Sequence, residues 1–250
     1  MFVKICGNTN ESDALLAVAL GADAVGFVFA PSPRQIAPQI ARDIARRLPP
    51  EILTIGVFRD ESPQRVVEVV NSMGLRGAQL HGHESPGEAK WVSQRVPFTI
   101  KAFGIGDHLL AKVDEYQVNA ILIDSHTPGS GQVFDWSIAE RLPLDRRIIL
   151  AGGLTPENVG DAIQQVNPWG VDVATGVEAA PGRKDPIRLR HFIANAKAYE
   201  TDDDWDDLAD LSGLGAGTLH GLADDLADEP DVFDWEEDST LDAPIEDDLA

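Results

Sequence analysis

Short apolar runs alternate with amphipathic helical stretches eight times between residues 2 and 199. The runs fall at 2–6, 24–29, 53–58, 78–81, 98–103, 120–124, 147–151 and 171–174. Most are rich in Val, Ile, Phe and Ala, the composition of strands buried on both faces of a parallel sheet. Helical register follows them at 11–20, 38–48, 63–73, 86–95, 107–116, 136–141, 155–166 and 186–199. In the first of these Ala14, Leu15, Val18 and Ala19 share one face. The punctuation agrees with this reading. Gly21 and Gly74 stand where helices end, Thr155 and Asp185 stand as N-caps, and Pro156 and Pro186 occupy first turns. Strict alternation implies a parallel sheet. Eight units of about 25 residues imply an α/β fold closed into a (β/α)8 TIM barrel, near the small end of that architecture. An open doubly wound sheet is the alternative, and eight strands without an antiparallel edge count against it.

The last fifty residues break the pattern. Of the 42 Asp and Glu, 19 fall in 201–250, together with none of the 20 Lys and Arg. The formal charge of −22 therefore belongs mostly to the tail, and the first 200 residues are close to neutral. Two units are expected: a barrel at 1–200 and an acidic, low-complexity, disordered tail at 201–250. The tail reads either as a solubilising segment or as a docking segment for a protein partner. Leu219, Leu222, Ala223 and Leu226 supply a short amphipathic face for the second reading. Val232–Trp235 also repeats the tetrapeptide at 133–136, a match short enough to arise by chance. No basic patch points to nucleic acid. No run is long enough to span a bilayer, and no charged-then-apolar leader opens the chain, so a cytoplasmic protein is expected.

A barrel predicts a working rim at the C-terminal ends of its strands. The single cysteine, Cys6, falls at the first strand end, on the same strand face as Lys4. On residue type alone a lone cysteine is more often a small buried apolar group than a reactive one. Its rim position gains weight because other polar residues arrive there too: Arg34 in the second loop, His81 after the fourth strand and Asp124 at the end of the sixth. Each alone has a structural reading; together they read as a site. Gly152–Gly153 after the seventh strand and Thr175–Gly176 after the eighth suit a phosphate held by backbone N–H groups, with Gly129 and Gly131 in the sixth loop as further donors. No cysteine–histidine spacing suggests a metal.

Several motifs in order then resemble one family. They are K-I-C-G-N at 4–8, G-F-V-F at 26–29 with P-S-P-R-Q-I at 31–36, Q-L-H-G at 79–82, L-I-D-S at 122–125 and G-S-G-Q-V-F-D-W at 129–136. The series continues with L-A-G-G-L-T-P-E-N-V at 150–159, D-V-A-T-G-V-E at 172–178 and P-G-R-K-D at 181–185. Residues 1–200 resemble the phosphoribosylanthranilate isomerases of tryptophan biosynthesis. Pro128–Gly129–Ser130–Gly131 departs mildly from the family's Gly-Gly-Thr-Gly, and the tail has no counterpart in the pattern.

The resemblance implies a cofactor-free Amadori rearrangement of N-(5-phosphoribosyl)anthranilate to the carboxyphenylamino deoxyribulose phosphate. It implies Cys6 as general base, Asp124 as general acid, Arg34 on the anthranilate carboxylate and His81 lining the pocket, in a monomer or homodimer. The chemistry inverts ordinary ionisation, because it needs a thiolate and a protonated carboxyl near neutrality. Lys4 is expected to favour the thiolate, and desolvation with a neighbouring negative charge to keep Asp124 protonated. A histidine-pathway aminoaldose isomerase is a competing reading, disfavoured because such enzymes carry aspartate where this chain has Cys6. A barrel kept as a binding module, with the tail as its working part, is disfavoured by the intact rim.

Overall fold

The computed structural model describes residues 1–105, 107–124 and 146–199. Eight parallel strands close in sequence order: β1 (Phe2–Ile5), β2 (Ala24–Val28), β3 (Leu53–Phe58), β4 (Gly77–Leu80), β5 (Phe98–Gly104), β6 (Ala120–Asp124), β7 (Ile148–Ala151) and β8 (Gly170–Val173). The ring shuts where β1 pairs with β8, Lys4 opposite Asp172. The barrel is therefore as expected, with strand ends moved by a residue or two.

Alternation along each strand sorts the side chains into two layers. Val3, Ile5, Val25, Phe27, Leu80, Ile121 and Val171 turn outward into a continuous apolar layer beneath the helices. Phe2, Lys4, Ala24, Ile55, Gln79, Ile100 and Leu122 have the opposite parity and fill the ring. At its lower end Phe2 stacks on Trp169, with ring centroids 4.4 Å apart. A barrel filled this way is a solid core, open only at its rim.

Around the ring run α1 (Glu11–Ala19), α2 (Pro38–Ala45), α3 (Pro63–Met73), α4 (Pro86–Ser93), α5 (Val159–Val166) and α6 (Pro186–Lys197). Their starts are chemically marked. Asn10 accepts from Asp13 N–H, Ser85 and Glu88 form a capping box, and Asp185 accepts from Ile187 and Arg188 N–H. Gly74 ends α3 at φ 66°, a left-handed turn that favours glycine.

Three local expectations are corrected. The 107–116 segment is a 3-10 helix, His108–Glu115, with Lys112 off helical geometry at φ −112°, ψ 17°. The helix expected from Thr155 starts later, at Val159 with Asn158 in the cap position; Thr155 caps the preceding turn instead, its Oγ1 accepting from Glu157 N–H at 3.2 Å while its own N–H donates to Asn158 Oδ1 at 2.7 Å. After β8 and a 3-10 turn, Thr175–Val177, the chain forms an antiparallel hairpin of β9 (Glu178–Ala180) and β10 (Arg183–Lys184), which the alternation of runs and helices does not announce. The helix expected at 136–141, Gly129, Gly131 and the tail at 201–250 lie outside the described residues.

Candidate active site

The rim forms around a buried ion pair. Lys4 and Asp172 are register partners on neighbouring strands, so both point into the ring, and Lys4 Nζ meets Asp172 Oδ1 at 3.0 Å. Above them sits Cys6, 7% exposed. Room for its sulfur comes from Gly26 on the adjacent strand. A Cβ there would lie 2.8 Å from Cys6 Sγ and 3.3 Å from Lys4 Nζ. On the far side of the ring, Gln79 Nε2 donates to His81 Nδ1 at 3.0 Å. An amide nitrogen can only donate, so His81 carries its proton on Nε2 and offers it to Asp124 Oδ2, 3.3 Å away. Gln79 Oε1 is buried without a partner among the described residues, an acceptor left over at the site.

The glycine loops close the circle. Gly152 and Gly153 have φ of 85° and 66°, two successive left-handed residues after β7. A Cβ on Gly176 would collide with the Leu154 carbonyl oxygen, which brings the loops after β7 and β8 into contact. A cavity of about 320 Å³ opens among these elements. Cys6, Arg34, His81, Asp124, Gly152, Gly153, Thr175 and Gly176 all line it. Thus eight of the ten site residues expected from the sequence meet at one cavity, and the remaining two, Gly129 and Gly131, are not described. Among the described residues no cluster of three or more His, Cys, Asp or Glu could hold a metal ion.

A model of the N-(5'phosphoribosyl)anthranilate (PRA) isomerase family matches residues 3–195. The chain belongs to this family. A curated N-(5'-phosphoribosyl)anthranilate isomerase of Desulforudis audaxviator is 50% identical over 202 residues, covering 78% of this chain and 97% of the relative. The crystal structure of the phosphoribosyl anthranilate isomerase of Thermus thermophilus is 42% identical, with a TM-score of 0.73, covering 80% of this chain and all of that one. A further solved isomerase, in complex with reduced 1-(o-carboxyphenylamino)-1-deoxyribulose 5-phosphate, is 41% identical with a TM-score of 0.69. It covers 79% of this chain and 99% of that one.

Within this isomerase Lys4 acts on Cys6 in the expected direction, against a stronger opposing cause. Burial pushes the Cys6 thiol above its ordinary value, and Asp172 adds to the rise; Lys4 and Lys184 oppose them without prevailing. Lys4 does favour the thiolate, but burial favours the thiol more strongly. Burial also pulls on Lys4, yet Asp172 and Cys6 outweigh it and hold its ammonium above the ordinary range. Arg34 is not idle either. Its Nε and Nη2 donate to the two oxygens of Glu178 at 2.8 and 2.7 Å. Asp172, Gln79, Glu178 and Lys184 are isomerase rim residues that the sequence alone leaves without a role. One signal was available: a lone lysine such as Lys4 on an inward strand face demands a buried counter-charge.

Proposed function

We propose that this isomerase converts N-(5-phosphoribosyl)anthranilate to 1-(2-carboxyphenylamino)-1-deoxyribulose 5-phosphate, the aldose–ketose step implied by its family. The observation that carries the reading is the convergence of Cys6, Asp124, Arg34, His81 and the paired glycine loops on one cavity. The reaction is an internal redox shift and calls for no cofactor. Asp124 gives its proton to the ribose ring oxygen as the C1–O bond breaks, and the nitrogen lone pair forms the Schiff base. The Cys6 thiolate then removes the proton on C2; that electron pair forms the C1–C2 double bond of an enolamine and neutralises the nitrogen. Tautomerisation moves the C2 hydroxyl proton off and brings a proton to C1, which leaves the ketone. The protein ends with a thiol and a carboxylate, and solvent returns the proton from sulfur to oxygen.

Because burial favours the thiol, the reactive form is the less populated one, with the proton on Asp124 instead of Cys6. Arg34 meets the aromatic carboxylate. Gly152, Gly153, Thr175 and Gly176 present N–H groups to the phosphate. The activity is assigned to residues 1–200, and the acidic 201–250 are assigned no part in the chemistry.

The test follows the loss of anthranilate-adduct fluorescence with Cys6→Ser and Asp124→Asn. Each is expected to lower kcat/KM by about 10²–10⁴-fold with folding intact. Two folded variants that keep near wild-type turnover would remove both assignments.

A further inference from the structure

The hairpin that follows β8 sends two charged side chains back beneath the rim. Its turn holds Gly182 at φ 77°, and Thr9 Oγ1 donates to the Gly182 carbonyl at 2.5 Å, which ties the hairpin to the loop after β1. From β9 comes Glu178, whose side chain is only 4% exposed. One edge of the Arg34 guanidinium, Nε and Nη2, forks onto its two oxygens. Glu178 Oε1 also accepts from Gly182 N–H at 3.2 Å and from Lys184 Nζ at 3.4 Å. Lys184, from β10, donates in addition to the carbonyls of Cys6 at 2.6 Å and Ala174 at 3.2 Å. Arg34, Glu178, Lys184 and the Cys6 main chain thus form one connected series.

Arg34 lies close to the base as well as linked to it. Gly7 has φ 70°, and a Cβ there would stand 2.7 Å from Arg34 Cδ. The arginine stem therefore rests on the turn just past Cys6. A guanidinium carries five N–H groups in a rigid fork. Glu178 uses one edge, and the end-on edge formed by Nη1 and Nη2 has the spacing to pair with a second carboxylate. Glu178, held by donors from two other residues, is too well anchored to be the group that a substrate displaces. Its carboxyl lies below the ordinary range: burial acts against the charge, but Arg34, Lys184 and the Gly182 N–H outweigh it.

We propose that Glu178 is a positioning and specificity residue for the reaction. It presents the end-on edge of Arg34 to the aromatic carboxylate of the substrate, and through Lys184 it fixes that grip relative to Cys6. The inference rests on the functional reading above and deepens it. A long, partly exposed arginine otherwise loses orientation, and pre-organised pairing is what an anchored guanidinium contributes. Selectivity for an ortho-carboxylated aniline then depends on a residue that never touches the substrate.

The experiment compares wild type with Glu178→Gln on two substrates: N-(5-phosphoribosyl)anthranilate and N-(5-phosphoribosyl)aniline, which lacks the carboxylate. Glu178→Gln is expected to raise KM for the first by about tenfold or more, with a smaller change in kcat. With the aniline substrate, kcat/KM is expected to stay within about threefold of wild type. Equal penalties on both substrates, or no penalty on either, would overturn the inference. If the variant fails to fold, the wild-type Arg34 Nε–H resonance decides, followed by nitrogen-15 NMR during titration with the reduced product analogue. A slowly exchanging signal that persists on binding supports an anchored arginine, and one that collapses on binding overturns it. Turnover of neither substrate by the wild-type chain would instead overturn the functional reading and the inference with it, so the two failures are distinct.

Discussion

Two lysines buried on the strands of this barrel do opposite things. Lys4 on β1 and Lys101 on β5 both have side chains 0% exposed, and each pairs with a carboxylate, at 3.0 Å to Asp172 and 2.9 Å to Glu84. Strand parity separates them. Lys4 points into the ring below Cys6, whereas Lys101, between the inward Ile100 and Ala102, points out under the helices. Satisfaction separates them too. Lys101 Nζ donates to the carbonyls of Gly82, Ala102 and Leu80 as well as to Glu84, more acceptors than an ammonium has hydrogens. Glu84 in turn receives Asp60 and Gly82 N–H, so this pair binds the ends of β3, β4 and β5 together. Among the described residues Lys4 Nζ donates only to Asp172, and its charge bears on the Cys6 sulfur beside it. Its charge is left to act on a titrating neighbour. Burial of a lysine thus says little about function until its face and its remaining hydrogens are known.

The comparison breaks most visibly at Lys101. Lys101→Met leaves Glu84 buried without its counter-charge, a loss of about 3–5 kcal/mol. Chemical denaturation should show that drop, while kcat/KM of the folded fraction stays within about tenfold. A Lys101 variant of normal stability and collapsed turnover would make Lys101 a functional residue and end the distinction.

Lys4→Met is expected to cost less stability, about 1.5–3 kcal/mol, because Asp172 borders the cavity and retains access to water. Its signature lies in the pH profile. Lys4 lowers the Cys6 thiol and Asp172 raises it, so removing the ammonium moves the thiol further upward. If the Cys6 thiolate is the base, as proposed, the basic limb of kcat/KM should move to higher pH, that form becoming scarcer at any pH below it. If the limb moves up by about one pH unit, the thiolate fraction below it falls about tenfold, and kcat/KM falls with it. A basic limb in the wild-type position would show that the Lys4 charge does not reach the sulfur.

The same pair marks what a single sequence discloses. Closed topology is legible because each strand is an apolar run bounded by Gly, Pro or capping residues, and rim positions follow from where the runs stop. Cys6, Arg34, His81 and Asp124 can be placed in that way. Counter-charges cannot, because Asp172 lies 168 residues from Lys4 and Glu178 lies 144 residues from Arg34. Only ring closure joins them. The β9–β10 hairpin escapes notice because strands of three and two residues carry no alternation, although Pro181–Gly182 is a turn signal. The 3-10 helix at His108–Glu115 resembles an α-helix in sequence because Leu110, Val113 and Tyr116 recur every three residues, a spacing that both helices share over so short a run.

Gly26 offers the finest test of the two-lysine distinction, because it alters the room around Lys4 without touching a charge. The glycine adopts ordinary strand geometry, so its small size, and no special backbone angle, is what the site uses. Gly26→Ala places a methyl 2.8 Å from Cys6 Sγ, 3.2 Å from Cys6 Cα and 3.3 Å from Lys4 Nζ. The Cα cannot retreat without bending β1, so the strain should cost about 1–3 kcal/mol. The sulfur must also turn away from its place over the ion pair. If Cys6 acts from that place, kcat should fall by more than KM rises, since the added methyl meets Cys6 and Lys4 and not the Arg34 guanidinium or the glycine loops after β7 and β8. A variant with the expected loss of stability and an unchanged kcat would show that the chemistry tolerates displacement of the thiol, which a base that must reach one ribose proton cannot do.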